Sequence, residues 1–409
     1  MPASTTDIAI IGGGILGCAI ADRLSATPGL SVTVIERHGL GEQTTSHAAA
    51  LLTRARPNPA MARLVGETFD TIESLSDDSG SALPLRKVGS LHVAESDDGL
   101  DQLTATAHHA LNQNLTHAWI DVTEAMARAP WLNVSAAAPA LWFPGDGYID
   151  PYQLCQAYAA RARRRGARFL LGTTVTDICR NGHRVDGLQL STGDRLNTDQ
   201  VIDAAGPWSV ALASAIDVPL AMGAVRSHYW ITAKDERVYR DGPITILPDS
   251  RSYARPEVGG LLFGLRDRQA VFADPGALPD HLGGFAFDTD SDGQAALLEG
   301  APELARQCPL IESTPLAHYV SNISSYTPDG RPLLGALPGL EGFMAATGCS
   351  GAGIGLSGGI ARLIAELALG QSPFVDASLF RPDRFGPVNP FDPAFQHRCA
   401  LARADKRTG

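Results

Sequence analysis

The chain has 409 residues and carries 44 acidic against 33 basic side chains, giving a formal net charge of −11 at pH 7. This acidity argues against nucleic acid or an anionic membrane surface as the main partner. Hydrophobic residues make up 44% of the chain, as in an ordinary globular protein, and the length predicts two or three folding units.

The N-terminal residues MPASTTD contain no basic segment followed by an apolar one, so we expect no signal peptide. No apolar run approaches the length of a transmembrane helix. The six cysteines are scattered without a C-x-x-C pair, which indicates reduced thiols and no zinc site or other metal site. We therefore expect a cytoplasmic protein that does not span a membrane.

The most specific pattern is a glycine-rich turn near the N terminus. Residues 8–11 predict a buried parallel strand, and Gly12, Gly14 and Gly17 follow it as G-x-G-x-x-G. In a dinucleotide-binding unit these glycines make the tight turn, admit the pyrophosphate and let the helix pack on the strand. The helix that follows directs its positive dipole end at the phosphate.

An acid completes this fingerprint. Residues 31–35 predict the second strand, and Glu36 ends it about 20 residues after the last glycine, where a carboxylate accepts hydrogen bonds from a ribose. A carboxylate there repels a 2′-phosphate, which disfavours NADP. A plain strand–helix–strand unit with a glycine turn is the alternative, and it explains Glu36 poorly.

Further elements follow from apolar alternation and chain breakers. We expect helices over residues 100–111, 122–128 and 151–165, and a turn at Asn181 and Gly182. Residues 348–359 open a last helix that runs to Gly370, and we expect the tail beyond Pro373 to wrap the surface. Strands are predicted over residues 88–94, 169–178, 184–190 and 200–204, with many short strands over 219–319.

The nucleotide-binding domain is therefore predicted to be interrupted twice. The fold class predicted is α/β, with a Rossmann-like nucleotide-binding domain interleaved with an antiparallel-sheet substrate domain. We assign residues 1–86, 145–218 and 325–372 to the first domain, residues 87–144 and 219–324 to the second, and residues 373–409 to a C-terminal tail.

Three further motifs carry a family resemblance: DAAGPWS at residues 203–209, TPDGRPLLG at 327–335 and ATGCSGAGIGLSGG at 346–359. Together with the fingerprint, they make the chain resemble the D-amino-acid oxidase-like superfamily of FAD enzymes. That group includes glycine and sarcosine oxidases, D-amino-acid dehydrogenases and dimethylglycine dehydrogenases. The resemblance implies bound FAD and oxidation of a carbon–nitrogen bond beside the flavin.

The resemblance also implies which residues hold FAD, from the ADP half to the isoalloxazine. They are Gly12, Gly14, Ile15, Leu16, Gly17, Glu36 and Arg37; Thr44, Thr45, Ser46, His47, Ala48 and Ala49; Val175, Ala204, Ala205, Gly206 and Trp208; and Gly348, Ser350, Gly351, Ala352, Gly353, Ile354 and Gly355.

Two of these groups have a second interpretation. The hydroxyls of Thr44, Thr45 and Ser46 suit helix capping as well as phosphate contact. The glycine run at 348–355 places N–H groups at a helix start, where they stabilise the negative charge of a reduced flavin. Close packing of that helix is the alternative for the run.

His47 matches the histidine of the H-A-A-G motif through which dimethylglycine dehydrogenase-like enzymes bind FAD covalently. The chain departs from that motif, because Ala50 replaces its glycine and Ser46 its preceding aromatic residue. Three interpretations stay open for His47: a covalent link, a noncovalent position near the flavin or its phosphates, and a surface or capping role.

Amine oxidation by flavin needs a substrate held against the flavin with its amine neutral. His228, Tyr229 and Tyr253 lie on strands that roof the flavin in similar enzymes, which makes them candidates for moving or tuning the amine proton. Ordinary strand packing is the alternative for each of them.

Amino-acid oxidases also grip the substrate carboxylate with an arginine. Many relatives place it just before the TPDG-like motif, but residues 318–326 contain none. The possible substitutes are Arg54, Arg56, Arg226 and Arg255. The lysines that could activate oxygen, Lys87, Lys234 and Lys406, all fall outside the flavin-flanking motifs, which favours a dehydrogenase or a slow oxidase.

We therefore predict oxidation of a secondary or tertiary amine, such as an N-methylated or cyclic amino acid, to an imine. The electron acceptor is expected to be O2, a redox partner protein or a quinone, and an oligomer is possible. The alternatives are a D-amino-acid dehydrogenase or oxidase, a non-catalytic or electron-passing flavin subunit, and a tRNA-modifying FAD domain. The net charge counts against the last of these.

Overall fold

The computed structural model describes residues 4–79, 83, 85–135 and 138–406, so predictions for residues 1–3 and 407–409 lie outside it. In chain order its strands are β1 (Ser4–Thr5), β2 (Ile8–Ile11), β3 (Val32–Glu36), β4 (Leu51–Leu52), β5 (Ser90–Val93), β6 (Ala118–Ile120), β7 (Ala140–Phe143), β8 (Gly147–Tyr148), β9 (Arg168–Leu171), β10 (Val175–Asn181), β11 (Arg184–Leu190), β12 (Arg195–Asn197), β13 (Gln200–Asp203), β14 (Gly223–Thr232), β15 (Ile244–Leu247), β16 (Ser252–Glu257), β17 (Gly260–Leu265), β18 (Phe272–Ala273), β19 (Leu316–Tyr326), β20 (Leu333–Ala336) and β21 (Phe343–Thr347).

The helices are mostly amphipathic and pack against these strands. No helix in the described part of the chain is long and apolar enough to cross a membrane. The helices are α1 (Ile15–Leu24), α2 (Pro59–Ser79), α3 (Asp97–Asn112), α4 (Val122–Arg128), α5 (Pro151–Arg164), α6 (Ser209–Ser214), α7 (Gln294–Gln307), α8 (Leu310–Ser313), α9 (Gly353–Ala368) and α10 (Pro393–Ala404).

A six-stranded sheet in the order β20-β21-β13-β2-β3-β9 forms the layer that carries the fingerprint. All its pairs are parallel except β20 with β21. Helices α1, α2, α5 and α9 pack on one another beside this sheet, around a core that includes Ile10, Ile20 and Ile360. The carboxyl ends of β2, β3 and β13 meet at one edge, where ligands bind in sheets of this type.

A second, nine-stranded sheet lies across from that edge. Its order is β18-β14-β17-β16-β15-β5-β7-β6, and β19 pairs along the whole of β14. The pairs are antiparallel apart from β15 with β5. Because side chains alternate along a strand, Ser227 and Tyr229 point to one face of β14, and Arg226 and His228 point to the other. The mixed α/β architecture confirms the predicted fold class.

Capping explains several helix starts. The Asp121 carboxylate accepts a hydrogen bond from the Glu124 N–H at 2.9 Å, and α4 begins at the next residue, as predicted. Asp150 likewise accepts from the Gln153 N–H at 2.9 Å, and Pro151 occupies the first helical position of α5. Both are favoured N-terminal signals, because the first helical N–H groups have no partner within the helix.

Two predictions about the chain were wrong. The single strand expected over residues 169–178 is two strands in different sheets, because the chain turns at Gly172, whose φ is 63°. The last helix is α10, not α9, and the tail is not only a surface wrap. Phe395, Cys399 and Arg403 are buried on α10, which packs against β14 and β19.

Candidate functional site

A cavity of about 450 Å³ opens at the carboxyl edge of the parallel sheet. Its described lining comes from the glycine turn after β2, the ends of β3 and β13, the segment between β3 and β4, and the start of α9. Residues of β14, β16 and β19 line it from the large sheet, and α10 contributes the last part of the wall. The cavity therefore brings the fingerprint of the parallel sheet together with residues of the large sheet and the C-terminal segment.

The glycine turn is shaped by close backbone contacts. Gly12 has a φ of 103°, and a Cβ placed on it would lie 2.6 Å from the carbonyl oxygen of Ala204. A Cβ on Gly17 would collide with the carbonyl oxygen of Gly12, so α1 crosses β2 at minimal distance. Thr45 Oγ1 accepts a hydrogen bond from the Ile15 N–H at 3.0 Å, which ties the next loop to the turn. The absence of side chains at Gly12 and Gly14 therefore lets a ligand group approach the backbone of the turn closely.

Glu36 lies at the end of β3, as the fingerprint requires. Its carboxylate is buried and accepts hydrogen bonds from the N–H groups of Gly13 at 2.6 Å and His38 at 2.8 Å. Carboxylate oxygens have further lone pairs, so a ribose hydroxyl can still donate to them. Glu36 is therefore held by backbone and directed at the cavity.

Arg37 and Trp208 close this end of the cavity. The Arg37 guanidinium lies 4.5 Å from the Trp208 ring centroid and pairs with Asp280 at 3.1 Å. Burial lowers the pKa of Arg37, while Asp280 opposes that shift. The Trp208 indole N–H donates to the carbonyl oxygen of Pro279 at 2.9 Å, so the 279–280 loop is anchored over the site.

Only part of the second glycine run, residues 348–355, lines the cavity. Residues 351–355 line the cavity, and α9 starts at Gly353 with its N–H groups toward it. Gly351 has a φ of 73°, and a Cβ there would collide with the Tyr326 hydroxyl. Gly348 and Ser350 lie behind this surface, where Ser350 N–H donates to the Ser325 carbonyl oxygen at 2.8 Å. Residues 351–355 are therefore available for ligand contact, and close packing explains the small residues at 348, 350 and 351.

Most residues predicted to hold the cofactor line the cavity. Those that do not are Gly17, Ser46, His47, Gly348 and Ser350. Those that do are Gly12, Gly14, Ile15, Leu16, Glu36, Arg37, Thr44, Thr45, Ala48, Ala49, Val175, Ala204, Ala205, Gly206, Trp208, Gly351, Ala352, Gly353, Ile354 and Gly355.

His47 is half-buried beside the cavity rather than in its wall. Its Nδ1 atom lies 2.8 Å from the carbonyl oxygen of Gln43 and 3.2 Å from the Ser46 hydroxyl. The Ser46 hydroxyl in turn donates to the Glu42 carbonyl oxygen at 2.9 Å. Both side chains therefore bind the turn on which they lie, which corresponds to the capping interpretation.

The three catalytic candidates separate in the structure. Tyr253 lines the cavity, and burial raises the pKa of its hydroxyl. Tyr229 is buried on the same face of β14 as the cavity-lining Ser227 but does not reach the lining itself. His228 points to the opposite face, so strand alternation removes it from contact with a ligand in this cavity.

His228 belongs instead to a buried ionic network. Its Nδ1 lies 3.1 Å from the Tyr319 hydroxyl and its Nε2 3.4 Å from Asp267, and burial lowers its pKa to about 3. Arg226 pairs with Asp267 and, at 3.0 Å, with Asp290. Arg226 was predicted as a possible carboxylate-binding residue, but these two acids already engage it on the far face of the sheet.

Two other predicted arginines have structural partners too. Arg255 donates to the carbonyl oxygen of Ala49 at 2.9 Å, stacks 4.5 Å from the Tyr148 ring centroid and pairs with Glu257. Arg54 stacks 3.8 Å from the ring centroid of Phe69. Neither lines the cavity, whereas the fourth candidate, Arg56, does.

The cavity residues that sequence reasoning missed include Arg266, Tyr326, Arg403 and Lys406. Lys406 is half-buried, and its Nζ donates to the carbonyl oxygen of Ser350 at 3.2 Å. Its pKa is held well below the usual range, first by burial and then by the nearby cations. Lys406 falls outside the flavin-flanking motifs in sequence, but this contact brings it to one of them in space. No spacing in the sequence signals it, because α10 reaches the site only through tertiary packing.

The parallel sheet, its glycine fingerprint and the elongated cavity define an α/β protein of the dinucleotide-binding class. The chain belongs to the FAD dependent oxidoreductase (DAO) family, whose model matches residues 7–367. This confirms the resemblance seen in the motifs.

Three similar proteins illustrate the relationship. Human mitochondrial dimethylglycine dehydrogenase is 27% identical over 389 residues, covering 92% of this chain and 44% of its own length. Glycine oxidase of Geobacillus kaustophilus is 27% identical over 391 residues, an alignment that covers 91% of this chain and 96% of the glycine oxidase. The structure of L-proline dehydrogenase from P. horikoshii is similar, with a TM-score of 0.81 at 21% identity. The superposition covers 94% of this chain and 98% of the proline dehydrogenase chain. The chain thus spans less than half the length of the first of these relatives.

The cavity fits the cofactor of this family. The turn at Gly12 leaves room only for a group that approaches backbone, and Glu36 presents a carboxylate where a ribose would lie. A second helix start, at α9, lines the same cavity. Two helix starts that favour negative charge suit the two parts of FAD that carry it, the pyrophosphate and the reduced isoalloxazine.

Proposed function

We propose that the protein oxidises the carbon–nitrogen bond of a secondary or tertiary amine, such as an N-methylated or cyclic amino acid, to an imine. The observation that carries this proposal is one cavity that joins the dinucleotide fingerprint to a wall of tyrosines and cations. The relatives reported above are named for dimethylglycine, glycine and proline, which supports an amino acid as substrate.

On the cofactor side, we propose that Gly12 and Gly14 approach the pyrophosphate and that Glu36 accepts hydrogen bonds from the ribose. The N–H groups at the start of α9 would face the isoalloxazine, where negative charge develops on reduction. When bound, FAD supplies the two-electron oxidant. The polypeptide needs only to bind both partners and orient them.

On the substrate side, Tyr253 and Tyr326 line the cavity from β16 and β19, and burial raises the pKa of both hydroxyls. They therefore stay protonated and can donate hydrogen bonds to a substrate. We propose that Tyr253 orients the amine and helps to exclude water around it. The cations in the cavity wall also favour the neutral amine, which is the form that gives up a hydride, because a like charge nearby disfavours protonation.

The electron acceptor is open between O2 and a redox partner protein or quinone. The absence of a lysine from the flavin-flanking motifs favoured a dehydrogenase, but Lys406 Nζ contacts the Ser350 carbonyl oxygen in such a motif. That argument no longer distinguishes the two. The rate at which air reoxidises the substrate-reduced flavin, compared with a quinone added under anaerobic conditions, would separate an oxidase from a dehydrogenase.

The test of the proposed function is a visible spectrum of the FAD-loaded protein, recorded anaerobically while amines are added. We expect an N-alkylated or cyclic amino acid to bleach the flavin. Bleaching by primary D-amino acids alone would support the D-amino-acid dehydrogenase alternative. A bound flavin that no amine reduces would contradict the proposal and favour an electron-passing subunit.

A further inference from the structure

Four cationic side chains line the cavity from elements outside the glycine fingerprint. Lys406 and Arg403 come from the end of α10, Arg266 follows β17, and Arg56 follows β4. They lie close together, since Arg266, Arg56 and Arg403 each help to lower the pKa of Lys406. Like charges gathered in a partly buried site are unfavourable, and an anion bound among them would stabilise them and favour the protonated form of Lys406.

Within the described part of the chain, no carboxylate forms a hydrogen bond or ion pair with the side chain of Arg56 or Lys406. Arg403 has a carboxylate partner, because its guanidinium pairs at 3.1 Å with Asp267, the acid of the ionic network around Arg226. Among the described residues that line the cavity, the acids are Glu36 and Glu42, and both bind backbone N–H groups near the fingerprint. Neither acid forms an ion pair with Arg56 or Lys406.

Two of the cations have only neutral hydrogen-bond acceptors among the described residues. Arg56 donates to the Thr53 hydroxyl at 2.7 Å and to the Ala55 carbonyl oxygen at 3.0 Å. Lys406 donates to the Ser350 carbonyl oxygen. Asp146 influences Arg56 electrostatically, but it is outside the lining, and its oxygens accept from Ser90 and from the Arg54 N–H.

We infer that this wall, centred on Lys406 and Arg56, binds the two carboxylates of a dicarboxylic amine, so that the substrate is an N-substituted amino acid with a second acidic group. This inference rests on the proposed function and specifies its substrate class. With two carboxylates, Lys406 and Arg56 each gain an anionic partner of their own, whereas a single carboxylate would have to be shared between them. We expect this second charge-assisted contact to give the site its specificity.

The inference can be tested with ligands that contain no oxidisable amine. Thiodiacetate carries two carboxylates on either side of a sulfur, and methylthioacetate lacks one of them. Their dissociation constants would be measured by calorimetry on the FAD-loaded protein. We expect thiodiacetate to bind at least about 10-fold more tightly, as one charge-assisted contact provides. Equal affinities of the two ligands would overturn the inference.

The matched variants are Lys406→Met and Lys406→Arg. We expect Lys406→Met to reduce the preference for thiodiacetate to within about threefold, and Lys406→Arg to restore it, because only the charge is needed. Lys234→Met is the control, since Lys234 is exposed and lies outside the cavity lining. A preference that survives in Lys406→Met would also overturn the inference. The comparison of ligands in the unaltered protein remains decisive if a variant does not fold.

The two proposals fail differently. If some amine bleaches the flavin but thiodiacetate shows no preference, the dicarboxylate site is wrong and amine oxidation stands. If no amine bleaches the flavin but thiodiacetate binds with a preference that depends on Lys406, the anion site stands and the oxidase function is wrong.

Discussion

The carboxylate of Glu36 accepts a hydrogen bond from the backbone N–H of Gly13 at 2.6 Å, across the turn that starts the fingerprint. The same carboxylate accepts from the His38 N–H. One side chain thus fixes the end of β3 and the glycine turn in relation to each other. Its role is both structural and, in our proposal, that of a ribose acceptor.

Replacing Glu36 should therefore affect both the packing of the glycine turn and the binding of FAD. Glu36→Ala removes the acceptor and leaves two buried N–H groups unpaired, which costs roughly 1–3 kcal/mol for each group. We expect FAD to bind at least about 10-fold more weakly, as measured by fluorescence titration of the apoprotein. Glu36→Gln keeps one oxygen as acceptor and should lose less. An unchanged dissociation constant in Glu36→Ala would argue against the ribose contact.

Two helical glycines offer a matched comparison of packing. A Cβ on Gly17 would collide with the Gly12 carbonyl oxygen, whereas a Cβ on Gly66, in α2, meets no atom within 4 Å. We expect Gly17→Ala to lower the free energy of unfolding by roughly 3 kcal/mol, because the strand and helix must separate. Gly66→Ala should raise it by about 0.5–1 kcal/mol, since alanine favours the helix.

Urea unfolding followed by circular dichroism would measure both variants. Gly17→Ala should also lose FAD, because the turn that holds the pyrophosphate shifts with the helix. If Gly17→Ala proved as stable as the unaltered protein, the close crossing of α1 over β2 would be incorrect.

Local signals explain which parts of the fold were predictable. The helix over residues 122–128 and the strands over 8–11 and 184–190 begin and end where expected. Asp121 caps the helix over 122–128. Gly182, with a φ of 62°, allows the turn before the strand over 184–190. The fold class followed from these elements and from the order of the motifs. At Gly172 the sequence alone did not show that two strands belong to different sheets.

The candidate site was predictable only at its cofactor end. There, Gly12 and Glu36 are joined by one continuous strand–helix–strand unit, so their spacing in sequence determines their spacing in space. The substrate end depends on which face of β14 each residue occupies and on the path of the tail. His228 lies on the far face, and Lys406 arrives from about 350 residues beyond Arg56, which no local pattern encodes.

His47 gives a prediction about how FAD is attached. Because its Nδ1 binds the Gln43 carbonyl oxygen and its side chain does not line the cavity, we expect FAD to be held noncovalently. Acid precipitation should release the flavin into the supernatant, and the denatured chain should have the mass of the polypeptide alone. His47→Ala should change the FAD dissociation constant by less than about threefold. A yellow pellet with added flavin mass would show that the covalent interpretation is correct.

The last prediction concerns Asp203, which is buried at the end of β13. One of its oxygens accepts from the Ala205 N–H at 3.0 Å and the Ser209 hydroxyl at 2.8 Å. The other oxygen has no hydrogen-bond partner within the described residues. Burial raises the pKa of Asp203 to about 6, although the two hydrogen bonds oppose this shift.

This shift makes a signed prediction about stability. Between the unfolded pKa near 4 and the folded pKa of about 6, the folded state binds the proton that the unfolded state releases. Asp203 therefore contributes stability at low pH that is lost as the pH rises through this range. Asp203→Asn keeps the accepting oxygen and cannot ionise, so it escapes that loss.

We expect the free energy of unfolding of Asp203→Asn, relative to the unaltered protein, to increase by about 2 kcal/mol between pH 4.5 and pH 8, mostly below pH 6. Urea titrations at three pH values would measure it. Asp199→Asn is the control, because the Asp199 side chain is 78% exposed and its substitution should leave the pH dependence unchanged. A difference between Asp203→Asn and the unaltered protein that is constant with pH would mean that Asp203 ionises normally in the folded state. In that case the second oxygen of Asp203 would be solvated despite its burial, for example by a buried water molecule.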